Sequence, residues 1–285
     1  METRTPQLVG IIGHPLGHSL SPAMHSATFE RLGLAYKFGV FDVSEEFLPA
    51  LIMSLRKSGV AGANVTIPYK ERVIPFLDSV SEDAAALGAV NTIVSRNGTL
   101  MGFNTDISGL QKTFEPIAEK IRNKAVLLLG AGGVARAALH AIAKELAPGL
   151  VRIYNRTAER GIAMASEFTK LFPVIRHECV ADIRQLHSIV SESSLIVNAT
   201  PVGMSPDTAA APLSADIRFS NHQIIVDIIY NPVETTLLRR ARLDGAQTIN
   251  GVEMFIQQGA KSFELWTGKP FPIDLARKTV LQALK

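Results

Sequence analysis

Short runs of apolar, β-favouring residues recur along the chain at Leu8–Ile12, Tyr36–Phe41, Gly62–Ile67, Ala125–Leu129, Val151–Tyr154, Leu195–Val197 and Ile224–Ile228. Between most of them, apolar residues fall at helical spacing, as in Phe47-Leu51-Leu55 and Leu139-Ile142-Leu146. Strands alternating with helices in this way predict an α/β architecture with mostly parallel sheets. Val90–Ser95 and Thr99–Phe103 form a local exception. They flank Arg96-Asn97-Gly98, and Asn-Gly favours a tight hairpin turn between antiparallel strands.

A helix from about Ile107 to Lys120 is predicted to lead from this hairpin to a fresh strand at Ala125. Near Gly251 the strand–helix rhythm stops, and two helices are expected to finish the chain, Val252–Trp266 (ended by Gly268) and Ile273–Leu284. The predicted organisation is therefore an N-terminal α/β domain over 1–106, an inserted domain over 107–251, and helices over 252–285 that return to the first domain. Two domains also suit 285 residues, at about 100–200 residues each. Ser205–Pro212 is the only long loop candidate.

Composition narrows the function classes. The chain is 47% hydrophobic and 19% charged, which excludes disorder and coiled coil. Its 29 basic and 26 acidic residues leave a net charge of +3, and no three Lys or Arg are consecutive, so a nucleic-acid partner is not expected. A small anionic ligand suits the surplus equally well. The single cysteine, Cys179, has no partner for an internal disulfide and fits a reducing compartment. No apolar stretch approaches the ~20 residues needed to cross a bilayer, and Met1–Pro6 leads only into a short one. A cytoplasmic enzyme without a membrane partner is the expectation. A homodimer is compatible with these features, none of which specifies an oligomeric state.

The first motif with chemistry is Gly130-Ala131-Gly132-Gly133-Val134-Ala135, directly after the strand Ala125–Leu129 and before a helical segment, Arg136–Leu146. It is a G-x-G-x-x-A turn. Gly130 permits the tight turn, Gly132 lets a pyrophosphate approach the backbone, and Ala135 keeps helix and strand close. The helix N-terminus then offers free N–H groups to the phosphates. Alone the hexapeptide is weak; with strand and helix on either side it predicts a dinucleotide site. The next strand should deliver an acid to the ribose of NAD, yet it ends in Asn155-Arg156-Thr157-Ala158-Glu159-Arg160. A guanidinium at Arg156, with Arg160 one helical turn on, suits a 2′-phosphate and predicts NADP. The bland alternative is a helix start capped by Asn155 or Thr157.

Three clusters precede the inserted domain. In Ser19-Leu20-Ser21-Pro22, Ser21 reads as an N-cap before Pro at the first helical position, whereas Ser19 has no such structural reason. The two hydroxyls also suit a carboxylate at a helix start. His14, His18 and His25 do not read as a metal site, because Pro15 and Gly17 disrupt a helical pair, and no metal is expected. In Asn64-Val65-Thr66-Ile67-Pro68-Tyr69-Lys70, alternation puts Asn64 and Thr66 on one face, and a helix is expected to open at Pro68. Lys70 would then sit in its first turn, where the dipole disfavours a cation and tends to lower the amine's pKa. A solvated surface lysine is the bland reading. Asp106 closes Gly102-Phe103-Asn104-Thr105-Asp106 and either caps the next helix or partners a lysine at a cleft.

Taken together these segments resemble the shikimate dehydrogenase family over nearly the whole chain. Further matching segments are Gly88-Ala89-Val90-Asn91-Thr92, Asn198-Ala199-Thr200-Pro201-Val202-Gly203-Met204, Asp227 with Tyr230-Asn231-Pro232, Gln257-Gln258-Gly259-Ala260 and Phe263-Glu264-Leu265-Trp266-Thr267-Gly268. The resemblance implies a two-domain α/β protein, with a substrate domain completed by the C-terminal helices and a Rossmann-type NADP-binding domain. It implies NADPH-dependent reduction of 3-dehydroshikimate to shikimate, on the way to chorismate and the aromatic amino acids. Lys70 and Asp106 would be the catalytic pair. Ser19 and Ser21 would hold the substrate carboxylate, and Asn64, Thr66, Asn91, Asp106, Tyr230 and Gln258 the ring oxygens. Gly130, Ala131, Gly132, Gly133, Val134, Asn155, Arg156, Thr157 and Arg160 would take the cofactor, with Glu82, Ile228 and Gly251 near its nicotinamide. One departure is Ser26, where the family usually has Asn; a position a turn into the helix should carry little functional cost.

Two other readings compete. A quinate/shikimate dehydrogenase using NAD is opposed by Arg156 at the place of the expected acid. A non-catalytic dinucleotide sensor has no use for a proton-transfer pair, so the presence of both Lys70 and Asp106 speaks against it.

Overall fold

The structure is a computed structural model that describes residues 5–17 and 19–285. The described residues form two compact units. One gathers those through Ser108 together with Ile256–Ala283, and the other spans Gly109–Phe255.

The sheet of the first unit contains β1 (Gln7–Gly13), β2 (Tyr36–Asp42), β3 (Gly62–Val65), β4 (Ser79–Val80), β5 (Thr92–Arg96) and β6 (Thr99–Phe103), in the order β2-β1-β3-β5-β6-β4. β1 lies parallel to β2 and β3, while β5 runs antiparallel to β3 and β6. The predicted hairpin forms: Arg96 pairs with Thr99, and Asn97 and Gly98 take φ of 52° and 79°, as a two-residue primed turn requires. The helix Ser21–Arg31 buries Met24, His25, Thr28 and Phe29, the face that its i, i+4 spacing creates. His25 is fully buried among the rings of Phe29, Phe38, Phe263, Trp266 and Phe271, and burial pushes its pKa down to about 3, so it is a neutral core residue. Trp266 also belongs to this core and donates its indole N–H to the Ile93 carbonyl at 3.0 Å. The C-terminal helices Val252–Thr267 and Ile273–Ala283 thus complete the first unit from Ile256 onward.

The second unit holds a wholly parallel sheet of β7 (Ala125–Leu129), β8 (Leu150–Tyr154), β9 (Arg176–Val180), β10 (Leu195–Asn198), β11 (Ile224–Asp227) and β12 (Gln247–Ile249), in the order β12-β11-β10-β7-β8-β9. This is the doubly wound arrangement, and the strand order reverses between β7 and β10. Leu127, Leu129, Ile196 and Ile225 fill one face of the sheet against Leu186, Ile189, Leu237 and Leu238.

Several predicted elements differ. β4, β9 and β12 are absent from the sequence reading, and all three are edge strands. An edge strand buries little, so Arg176-His177-Glu178-Cys179-Val180 and Gln247-Thr248-Ile249 lack the apolar run that marks a central one. The helix expected over 107–120 ends at Phe114, followed by a 3₁₀ turn at Glu115–Ile117 and a short helix at Ala118–Ile121, because Pro116 cannot donate to the helical ladder. No α-helix opens at Pro68; the chain runs through turns to a 3₁₀ segment at Ile74–Phe76. Ser21 is the first helical residue rather than the N-cap, and it is the Ser19 hydroxyl that accepts the Ser21 N–H, at 3.3 Å. Neither Asn155 nor Thr157 caps the helix Ala158–Leu171 through its side chain. The expected metal-free character of the first motif involved His18, which lies outside the described residues. No helix among the described residues is long and apolar enough to cross a membrane.

Candidate active site

In the first unit, four chain segments converge on a buried polar cluster. Lys70 Nζ lies 2.5 Å from Asp106 Oδ2, with the two side chains 16% and 7% exposed. Asp106 opens the helix Asp106–Phe114, so its carboxylate sits at the favourable end of the helix dipole. With no helix at Pro68, Lys70 does not stand in a helical first turn, and the lysine is held by its partner and by its own backbone instead. Its carbonyl accepts the Val90 N–H at 2.8 Å, and the buried Tyr69 beside it donates its hydroxyl to the Val43 carbonyl at 2.7 Å.

Asn91 ties the cluster together. Its Nδ2 donates to Asp106 Oδ1 at 2.8 Å and to Thr105 Oγ1 at 3.0 Å, and its Oδ1 accepts the Thr105 N–H at 2.7 Å. Asn64 Nδ2 donates to Thr92 Oγ1 at 3.0 Å and to Ser262 Oγ at 2.9 Å. Lys70, Asp106, Asn91 and Asn64 are therefore brought together, through Thr92, Thr105 and Ser262. The sequence reading gave these last three no role. A buried hydroxyl has no sequence signature of its own, and only the hairpin register and the approach of the helix Val252–Thr267 reveal them.

Of the other residues assigned to the same unit, Gln258 joins this cluster through its carbonyl, which accepts the Ser262 hydroxyl at 3.0 Å. Thr66 follows β3 and bonds through its N–H to the Ile12 carbonyl at 2.9 Å. Ser19 and Ser21 mark the start of the helix Ser21–Arg31, after a loop that Asp42 anchors through His14 Nδ1 at 2.6 Å and the Leu16 N–H at 2.9 Å. Gln258 is half-buried, one helical turn before Ser262. Glu82 opens the helix Glu82–Leu87 and is exposed. Ser26 is also exposed, on the outer face of its helix.

In the second unit, Gly130 has φ +112°, and a Cβ there would lie 3.0 Å from the Ala199 carbonyl, so this turn at the strand-order reversal requires glycine. Gly132 is the N-cap of the helix Gly133–Ala141, with Ala131 before it and Val134 in the first turn. Space is open for 4 Å around a Cβ placed on Gly132 or Gly133, which leaves room for a phosphate against their N–H groups. Ala135 is fully buried, as close helix–strand packing demands. The Gly130 N–H bonds the Tyr154 carbonyl at 2.8 Å, placing the turn beside the end of β8.

From there a groove of about 480 Å³ is lined by Tyr154, Asn155, Arg156, Ala158 and the segment Ala181–Arg184 after β9. Asn155 Nδ2 donates to the Thr157 carbonyl at 2.8 Å, and Arg156 is exposed with no carboxylate partner among the described residues. Asp182, the one acid in the lining, is engaged by Arg184 at 2.7–3.0 Å. Arg160 does not line the groove: Arg156 precedes the helix that carries Arg160, so the two are not stacked a turn apart. The opposite wall was illegible because β9 was.

Farther along the sheet, the Gly251 N–H bonds the Ile229 carbonyl at 3.0 Å, and a Cβ on Gly251 would stand 1.9 Å from the Ile228 carbonyl oxygen. Tyr230 stacks on Phe255 at 4.4 Å, and burial pushes its phenol pKa up. Asp227, fully buried, accepts from Thr235 Oγ1 (2.7 Å), Asn198 Nδ2 (3.0 Å) and the Ile229 N–H (3.1 Å). Burial outweighs these bonds and pushes its pKa up to about 6.

Comparison with known proteins places the whole chain in one family. Family models match in three segments: the shikimate dehydrogenase substrate binding domain over residues 11–93, shikimate/quinate 5-dehydrogenase over 112–234, and the shikimate 5′-dehydrogenase C-terminal domain over 251–281. The chain is 41% identical over 282 residues to a shikimate dehydrogenase (NADP⁺) of Symbiobacterium thermophilum, covering 98% of this chain and 95% of that one. The chain belongs to the shikimate dehydrogenase family. Among solved members, a shikimate dehydrogenase in complex with NADP⁺ superposes with a TM-score of 0.89 at 35% identity, covering 98% of this chain and 96% of the other. A quinate dehydrogenase of Corynebacterium glutamicum in complex with NAD gives 0.88 at 32% identity, covering 97% and 99%. The two-domain α/β fold of the family is the fold found here.

Proposed function

We propose that this chain catalyses the reversible, NADPH-dependent reduction of 3-dehydroshikimate to shikimate, a step towards chorismate and the aromatic amino acids, with Lys70 and Asp106 as the catalytic pair. The observation that carries the reading is the buried 2.5 Å contact between Lys70 and Asp106, braced by Asn91. Bound NADPH, held at Gly130–Val134, would supply a hydride to the carbonyl carbon. Negative charge then gathers on the carbonyl oxygen, where the Lys70 ammonium stabilises it and donates the proton that completes the hydroxyl. Asp106 keeps the ammonium oriented. Ser19 and Ser21 take the carboxylate, and Asn64, Thr66, Asn91, Asp106, Tyr230 and Gln258 the ring oxygens.

The second unit fits NADP. The open glycine turn over Gly130–Val134 suits the pyrophosphate, and Ile228 and Gly251, with Glu82 of the first unit, are assigned to the nicotinamide end. Asn155, Arg156, Thr157 and Arg160 are assigned to the cofactor, with Arg156 at the adenosine 2′-phosphate. In support, Arg156 lines the groove without a carboxylate partner among the described residues, and Asp182 is engaged by Arg184.

Steady-state kinetics with shikimate and quinate against NADP⁺ and NAD⁺ tests the reading. The expected result is the highest kcat/KM for shikimate with NADP⁺. Equal efficiency with NAD⁺ overturns the phosphate assignment, a preference for quinate overturns the substrate, and cofactor binding without turnover favours a sensor.

A further inference from the structure

The groove at the end of β8 contains a conflict of charge. Its lining carries three charged residues, Arg156 just after β8, and Asp182 and Arg184 on the loop after β9. A carboxylate beside an adenosine ribose suits a free 2′-hydroxyl, from which it can accept a hydrogen bond. The same carboxylate repels a 2′-phosphate. Asp182 therefore works against Arg156 unless its charge is cancelled.

Arg184 cancels it. Asp182 Oδ1 accepts the Arg184 backbone N–H at 2.9 Å and its Nε–H at 3.0 Å, while Oδ2 accepts from Nε at 3.0 Å and from Nη2 at 2.7 Å. Both carboxylate oxygens are thus engaged by one neighbour. These bonds from Arg184 also hold the Asp182 carboxyl below its ordinary pKa, so it stays ionised, and only a cation can mask it. The Arg184 side chain is 86% exposed. An ion pair so open to water adds little to stability, and a structural brace is a poor explanation for it. With Arg184 the lining has one net positive charge; without it, Asp182 offsets Arg156.

We propose that Arg184 is a specificity-determining residue that acts through Asp182, masking an acid built into the groove and so keeping the groove selective for a 2′-phosphorylated nucleotide. The proposal rests on the reading of this groove as the 2′-phosphate site. Arg156 then does not set the preference alone. Selectivity comes from Arg156 together with a masked acid, and unmasking that acid turns the same groove away from the phosphate.

The test is calorimetric titration of the full chain with adenosine 2′,5′-bisphosphate, which carries the phosphate, and with adenosine 5′-monophosphate, which does not. Wild type is compared with Arg184→Ala and with Arg184→Ala combined with Asp182→Asn. Arg184→Ala should weaken the bisphosphate about fivefold, the upper range for exposed charges, and the monophosphate by less than about twofold. Adding Asp182→Asn should bring the bisphosphate back to within about twofold of wild type, because no acid is left to mask. The loss in Arg184→Ala should also shrink to under about twofold when salt is raised from about 20 mM to about 300 mM. A loss that Asp182→Asn does not repair means that Arg184 meets the phosphate itself or holds the loop, and overturns the proposal. An unchanged bisphosphate affinity in Arg184→Ala, or an equal loss for both nucleotides, overturns it too; in each case the 2′-phosphate reading stands. A wild-type chain that binds the two nucleotides equally overturns that reading and the proposal with it. If Arg184→Ala does not fold, Arg184→Gln, which keeps the stem without the charge, carries the same expectations. A misfolded Arg184→Gln as well makes the residue a folding determinant and refutes the masking role.

Discussion

Asp227 makes the stability of the second unit depend on pH in the opposite sense to a surface carboxylate. It stands at the end of β11, fully buried, and its three hydrogen bonds from Thr235, Asn198 and Ile229 do not compensate for the loss of water. Its pKa is raised from 3.8 to about 6, so the folded chain binds this proton more tightly than the unfolded chain does. The stabilising contribution is fully present below pH 3.8 and is lost as the pH rises through about 6. At about 1.4 kcal/mol for each tenfold difference in proton affinity, the loss amounts to about 3 kcal/mol. Asp227→Asn keeps the shape and an acceptor for the Ile229 N–H and Asn198 amide, but has no charge to bury. Urea unfolding of wild type and variant at pH 4, 5, 6, 7 and 8 isolates the effect, because every other titrating group is common to both. The variant should gain about 2.4 kcal/mol relative to wild type between pH 4 and pH 8, with most of the change complete by pH 6. A difference that stays flat over this range, or moves the other way, refutes the conclusion that burial dominates at Asp227.

Replacing Lys70 by Ala should lower turnover about 100-fold or more, the usual worth of a positioned proton donor, while fluorescence titration still detects binding of cofactor and substrate; undiminished turnover removes the assigned role. Arg156→Ala should raise the NADP⁺ KM roughly tenfold, the size of a charge-assisted hydrogen bond discounted for exposure, and leave the NAD⁺ KM almost unchanged. Equal effects on the two would refute the 2′-phosphate assignment. Two glycines should respond oppositely to Ala. At Gly132 the added methyl enters open space, so the urea midpoint should hold while the NADP⁺ KM rises. At Gly251 the methyl meets the Ile228 carbonyl at 1.9 Å, and the overpacking should cost about 3 kcal/mol of stability.

How much could be read in advance followed from burial. Central strands such as Val126-Leu127-Leu128-Leu129 are apolar because both faces are covered, and they are legible as runs. The edge strands β4, β9 and β12 are short or mixed in composition and are not. At the candidate site, Lys70 and Asp106 stand out because each closes a distinctive segment, but the helix expected to act on Lys70 does not exist. What constrains the lysine is Asp106, 36 residues away in sequence. The groove beside Arg156 was half legible, because one wall is the end of β8 and the other is a loop after an unrecognised strand.

By itself the sequence determined the α/β class, the glycine turn, the hairpin at Asn97-Gly98 and the residue types available for chemistry. These are local properties, set by side-chain period, by φ restrictions and by which groups can donate, accept or carry charge. Tertiary structure alone decided that Asn91 braces Asp106, that a hydroxyl on a C-terminal helix reaches Asn64 across 198 residues, and that Asp227 is buried deeply enough to hold its proton. Those outcomes depend on the register of distant strands and on the exclusion of water. No stretch of chain carries either quantity until the whole chain has packed.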